Sequence, residues 1–416
     1  MTELSAQDRR AYQANIWKSY ALHFLMHFQL WWSIWVLYLM DMRGFSLTQI
    51  AILEALFWGT AVLADVPTGG IADRFGRRTS LALGAGFTTI AVLTFGLATN
   101  YWIVVVSYMT WALAFTFLSG AEYALLFESL KALGREGEFQ QVAGRFGAVF
   151  SFAALAGGLV GAPVAAATNL SVPVLLSAAI AAPGVLVALS LREPALPEGE
   201  VRLGYRHLLR ESVRTAISLP TVRYMLLLSA LATAVTFGPT LFMQPFLTGH
   251  GVDVVFLGFI QTPVRIAGIV GALAAYWATT RLGTRGAFLG APLLLGAGYL
   301  LLGAWDNVYA FAAFPLISFT SSLLMPPATD YLNRRIPSNQ RATILSLRTM
   351  LISLSAALLT PGLGVVADQL SLRAVFWVSA AVVGVLLPLA LALWLRADLR
   401  EHEPASPVEA EPAAAP

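Results

Sequence analysis

Gly69-Gly70-Ile71-Ala72-Asp73-Arg74-Phe75-Gly76-Arg77-Arg78-Thr79-Ser80-Leu81 is the stretch that decides how the chain is read. A long apolar run precedes it and another follows. Between them lie an acid, glycines and three arginines, so the chain must turn within a few residues at the edge of an apolar layer. Gly69 and Gly76 permit close approach and a positive φ. The arginines sit where a membrane protein carries its cytoplasmic positive charge. Asp73 can face a helix N-terminus or pair with an arginine. On these grounds alone the stretch is a basic loop between two membrane spans.

The composition agrees. Apolar residues make up 57% of the chain and charged residues 12%, against roughly a quarter charged in soluble domains. A span needs about 20 mainly apolar residues, so 416 residues accommodate about twelve spans with short loops. The chain has no cysteine, which excludes disulfides, iron–sulfur clusters and thiol chemistry. Arginine far outnumbers lysine, with only Lys18 and Lys131; this reflects genome composition, and no nucleic-acid partner is expected. The first span is too long for a signal-peptide core and is expected to be retained.

Hydropathy places spans at 17–40, 47–69, 79–99, 101–130, 140–166, 171–191, 222–247, 254–279, 286–304, 308–332, 341–366 and 372–396. With the N-terminus inside, the outer loops hold only Arg43 and Arg373. That asymmetry puts both termini in the cytoplasm. Residues 192–221 are basic and polar, with Leu203, Leu208, Leu209, Val213 and Ile217 at loosely helical spacing. They read as a cytoplasmic linker whose amphipathic helix lies on the membrane. The linker divides a six-helix lobe, 1–191, from a second, 222–396. The Pro-, Ala- and Glu-rich tail, 397–416, lacks the apolar content to fold. The expected fold is an all-α membrane protein of twelve transmembrane helices in two six-helix lobes.

The pattern G-x-(L/I)-A-D-R-x-G-R-R, present here as Gly69 to Arg78, resembles the signature between spans 2 and 3 of the major facilitator superfamily. Arg281-Leu282-Gly283-Thr284-Arg285 stands at the matching place in the second half, with Thr280 where Asp73 stands in the first. The resemblance covers about residues 17–396. It implies two lobes alternating around a midplane site, spans 1, 4, 7 and 10 lining the path, and a latch between the lobes at the Asp73 loop. The gate candidates are Asp73, Gly69, Gly76, Arg77 and Arg78, with Asp65 two turns earlier. Two family features differ. Span 4 has Thr116 where proton-coupled members carry an arginine four residues before a glycine, here Gly120. Span 5 has Gly157-Gly158-Leu159-Val160-Gly161-Ala162-Pro163 in place of a Gly-Pro motif, a small-residue face that suits close packing.

Ionisable groups inside spans are costly and mark function. Arg265 lies halfway along span 8, with Gln261 one turn earlier. It can hold an anionic substrate group or lock against a carboxylate. Glu54 in span 2, one turn from Trp58, suits a proton carrier, which needs a carboxyl whose charge responds to its surroundings. It can instead pair with Arg265 or Arg43. His23 and His27 share a face of span 1, with His27 and Gln29 near mid-depth; without a third ligand nearby, no metal is expected. Glu122 in span 4 and Glu128 below it have Arg145 as an expected partner. Asp330 and Arg348 are expected to pair at the inner face.

Trp31, Trp32, Trp35, Trp58, Trp111 and Phe115 cluster on spans 1, 2 and 4, either as a belt at the interface or as the wall of a bulky apolar cavity. Pro239 and Pro245 in span 7 and Pro326-Pro327 in span 10 are expected to break or bend those helices. The resemblance extends to bacterial drug–proton antiporters. It implies efflux of amphipathic or aromatic small molecules from the inner membrane in exchange for protons, with no cofactor, by a monomer. The alternatives are a carrier for a small polar or anionic metabolite and, in another class, a polytopic membrane enzyme or receptor. Against the last, no nucleophile stands beside a base at helical spacing and no long soluble catalytic loop is present.

Overall fold

The computed structural model describes residues 5–194, 205–337 and 340–402. They are helical throughout, without a strand. Ten helices are long and apolar enough to cross a membrane by length and composition, and Ala291–Ala304 is a shorter apolar one. The first span is broken into Ala6–His27, Trp35–Leu37 and the π-helical turn Tyr38–Met42, which completes the twelve.

Local chemistry sets the boundaries. Ser46 opens span 2 with a capping box, its side chain accepting from the Gln49 amide and the Gln49 side chain accepting from the Ser46 amide. Asn100 caps span 4 through the Ile103 amide. Span 2 runs to Phe75 and ends at Gly76, whose φ of 92° and ψ of 158° no side-chain-bearing residue adopts without strain. The same device recurs in the second half. Gly283, φ 67° and ψ 171°, interrupts the long helix Leu257–Leu289, so residues beyond it begin the next span.

Two boundary expectations change. Span 1 is not one helix over 17–40. The linker helix, Tyr205–Ser218, packs against spans 7 and 11; linker residues 195–204, Leu203 among them, and the side chains of Leu208 and Leu209 lie outside the described residues. The last helix continues past Arg396 to His402, so the first part of the expected tail is helical, and 403–416 lie outside the described residues. Span 7 is interrupted after Pro239, between Pro220–Thr240 and Met243–Gly249. Span 10, by contrast, runs unbroken through Pro326 and Pro327.

The two halves face each other, with span 2 packed along span 11 and span 5 against span 8. Several hydrogen bonds that cross between them lie toward the end away from Gly76. Asp368 of span 11 accepts from the backbone N–H of Leu47 and Thr48 at 3.0 and 2.8 Å. Gln244 and Gln261 of the second half reach the first span at Val36, Trp32 and Ser33. These bonds tie the two halves together at that end.

Candidate functional site

The site begins where span 1 breaks. Residues 28–34 contain neither proline nor glycine, yet the helix stops at His27. Backbone groups freed inside a membrane must find partners, and here they come from distant spans. The Leu30 amide donates to Ser177 Oγ at 2.8 Å. The Val36 amide donates to Gln244 Oε1 at 2.9 Å, and Gln244 Nε2 donates to the Trp32 carbonyl at 3.1 Å. Gln261 Nε2 donates to the Ser33 carbonyl at 2.9 Å. Gln29 closes the helix end by donating to the Met26 carbonyl at 2.9 Å, while its Oε1 accepts from Trp31 Nε1 at 2.8 Å.

The small residues of span 5 receive this broken segment. A Cβ added at Gly157 would lie 2.8 Å from the Gln29 carbonyl oxygen, and one at Gly161 would collide with that of Leu30. The glycine run therefore seats an irregular backbone, a closer fit than helix-on-helix packing requires.

The break leaves a cavity of about 640 Å³ between the halves. His23, His27, Gln29, Trp31, Trp32, Trp35, Glu54, Trp58, Trp111, Phe115 and Glu122 line it from the first half, and Phe237 and Arg265 from the second. It extends from Trp35 and Glu54, beside the bonds that tie the halves, toward Glu122, Tyr123 and Gly147 on the Gly76 side. The aromatic cluster on spans 1, 2 and 4 is thus largely cavity wall. Trp58 meets Phe237 of the other half edge-on, with ring centroids 5.5 Å apart.

Of the residues singled out from sequence, Glu54, Arg265, His27, Gln29, Glu122, Trp58 and Trp111 come together here. Gln261 does not line the cavity; it is buried and engaged with Ser33. Glu122 pairs with His23 Nδ1 at 3.0 Å rather than with Arg145, because the two lie on facing turns of spans 4 and 1. His27 Nδ1 donates to the His23 carbonyl at 2.8 Å. Glu54 pairs with neither proposed arginine. Arg43 is held by the Tyr38 hydroxyl and the Gly96 carbonyl, and the Arg265 guanidinium lies over Trp32, 5.7 Å from the ring centre. Asp330 pairs with Arg334, one turn along its own helix, while buried Arg348 donates to Ser229 Oγ and Thr329 Oγ1.

Sequence reading misses Phe150, Tyr123 and Phe237 as wall residues, and Gln244 and Ser177 as supports of the break. The signal for the last two is faint: single polar side chains within apolar spans. Among the described residues no three His, Cys, Asp or Glu side chains gather as a metal site.

The gate candidates lie at the other end. Arg77 donates to Asp73 Oδ1 at 2.8 Å and its Nε lies 3.6 Å from Glu128. Glu193, at the end of span 6, accepts from the backbone N–H of Arg77 and Arg78 at 2.6 and 2.7 Å, a carboxylate at a helix N-terminus. Asp65, Gly69 and Gly70 are exposed along the last turns of span 2.

The family model of the Major Facilitator Superfamily matches residues 19–358 and 266–415. No curated protein matches. Among solved structures, a mutant of the nucleoside transporter NupG superposes with a TM-score of 0.78 at 14% identity, covering 91% of this chain and 100% of that one. A bacterial homolog of the human lysosomal transporter Spinster, inward-facing and unoccupied, gives 0.71 at 17% identity, covering 97% of this chain and 100% of that one. At such identities the likeness is one of fold.

Proposed function

The chain belongs to the major facilitator superfamily of membrane transporters, and from that premise we propose a secondary active transporter that exports amphipathic or aromatic small molecules in exchange for protons. It is a multi-pass membrane protein that needs no cofactor. Our reading places it in the bacterial inner membrane as a monomer, both termini in the cytoplasm, because the arginines concentrate on the Gly76 side.

The observation that carries this reading is the cavity itself: a large aromatic chamber between the halves, with Glu54, Glu122, His23 and His27 among its few ionisable groups. Apolar walls with sparse polar anchors suit a bulky, partly apolar substrate. Glu54, His27 and Glu122 are the groups that would take up and release the proton. The halves are tied at the end away from Gly76, which supports a state open toward the cytoplasm. In the opposite state the Asp368 bonds would part and the Asp73 loop would close against the second half.

The test is proton movement in proteoliposomes under an imposed pH gradient, challenged with lipophilic aromatic cations and with small organic anions. Proton flux driven by the cations and lost in Glu54→Gln is expected. Substrate flux without proton movement would end the coupling. The second reading, a carrier of small polar or anionic metabolites, is favoured by one observation: Arg265 lacks a carboxylate partner among the described residues. Flux driven by anions alone and lost in Arg265→Ala would establish it.

A further inference from the structure

The ionisable groups of the chamber fall into two sets. His23 and Glu122 answer each other at 3.0 Å, and His27 is engaged with the His23 carbonyl. Glu54 and Arg265 are different. Glu54 projects from span 2 among Trp35, Phe57 and Trp58; Arg265 projects from span 8 of the other half, over Trp32. Among the described residues neither forms an ion pair or a side-chain hydrogen bond, with each other or with any other group. A carboxyl on one half and a guanidinium on the other thus share one chamber, neither with a charged partner among the described residues.

In a partly enclosed apolar chamber such groups are answered best by a guest that brings both counter-charges. A singly charged guest would satisfy one and strand the other. We propose that the substrate is a zwitterion on an aromatic or otherwise bulky apolar body, its cationic end at Glu54 and its anionic end at Arg265. This rests on the transporter reading above and names the class of compound carried.

The surroundings of each charge fit that orientation. Trp35 and Trp58 beside Glu54 offer ring faces that attract an ammonium group. Arg265, steadied over Trp32, presents a planar fork of N–H donors suited to a carboxylate or phosphate. The apolar body would lie along Trp31, Trp32 and Trp111 between them. Because Glu54 belongs to the first half and Arg265 to the second, a guest bearing both charges bridges the halves, which a singly charged guest does not. Its cationic end also competes with a proton for the same carboxylate, so that exchange of substrate for proton needs no second acidic site.

The experiment uses three compounds with one body: biphenylalanine, biphenylethylamine and biphenylpropionate, titrated into the purified full-length protein at neutral pH. Biphenylalanine should bind about tenfold or more tightly than either singly charged relative, the range for one charged hydrogen-bonded contact. Glu54→Gln should lower biphenylalanine to the level of biphenylpropionate, and Arg265→Gln to that of biphenylethylamine. Reading each variant as a ratio between compounds separates recognition from partial loss of fold, and the wild-type ratios alone can overturn the proposal. If biphenylethylamine or biphenylpropionate binds as tightly as biphenylalanine and crosses proteoliposomes, the zwitterion is refuted and the transporter reading stands. If none of the three binds while the lipophilic cations still drive flux, the zwitterion is refuted in the same way. If nothing binds and nothing crosses, both readings fall.

Discussion

The loop after span 2 and the loop after span 8 share a backbone and differ in what holds them. Each turns at a glycine of positive φ, Gly76 at 92° and Gly283 at 67°. Each is met by a carboxylate from the end of its own half's last span. In the first half Glu193 takes two backbone amides, and Asp73 remains at the surface beside Arg77. In the second half Asp398 is buried and gathers Arg285 at 2.6 Å, Arg335 at 3.0 Å and the Tyr331 hydroxyl at 2.6 Å. Thr280, at the place of Asp73, returns its hydroxyl to the Tyr276 and Trp277 carbonyls of its own helix. The same turn is a fixed corner in the second half and carries an exposed acid in the first. An acid at the surface can change partners when the halves move; a buried three-way anchor cannot do so cheaply.

Five substitutions put this contrast at risk. Asp398→Ala takes the carboxylate from Arg285 and the Tyr331 hydroxyl and leaves Arg335 with Glu401, so it should cost about 2 kcal/mol or more, read as a lower melting temperature of the purified protein; wild-type melting would mean the corner is not anchored there. Gly76→Ala should cost about 2 kcal/mol against about 1 kcal/mol for Gly283→Ala. The first added Cβ would press on the Glu193 carboxylate at 3.0 Å, whereas the second enters open space. Equal costs would show that Glu193 yields freely. Asp73→Asn should slow transport in proteoliposomes about tenfold, or about 1.4 kcal/mol on the barrier, with melting nearly unaltered; a normal rate would remove the gate role. Thr280→Asp should change melting by less than about 0.5 kcal/mol and leave the rate alone, and a large effect on rate would mean that the second loop also gates.

Much of this is legible in the residues. Charges within apolar runs stand out because membranes penalise them, so the sequence alone singles out Glu54, Arg265, Glu122 and His27. It does not show that they meet in one chamber, or which of them answer one another. The pairing of His23 with Glu122 depends on how spans 1 and 4 face each other, and Arg145 is as good a candidate by depth alone. The break at 28–34 is hidden for a related reason. It carries no proline or glycine, and it persists because Ser177, Gln244 and Gln261, far along the chain, satisfy what the missing helix turns would have bonded. Gln261 reads as a pathway residue because a polar group at that depth has two uses, and local sequence does not distinguish a substrate contact from a backbone support.

Asp368 has a use beyond fastening. Its two oxygens belong to one half and the amides of Leu47 and Thr48 to the other, so those hydrogens are sheltered only while that end is shut. Each excursion to the opposite state uncovers them to water. In heavy water, the rate of their replacement by deuterium would report the fraction of time that end stands open, an isotopic gauge of the idle carrier that runs with no substrate present.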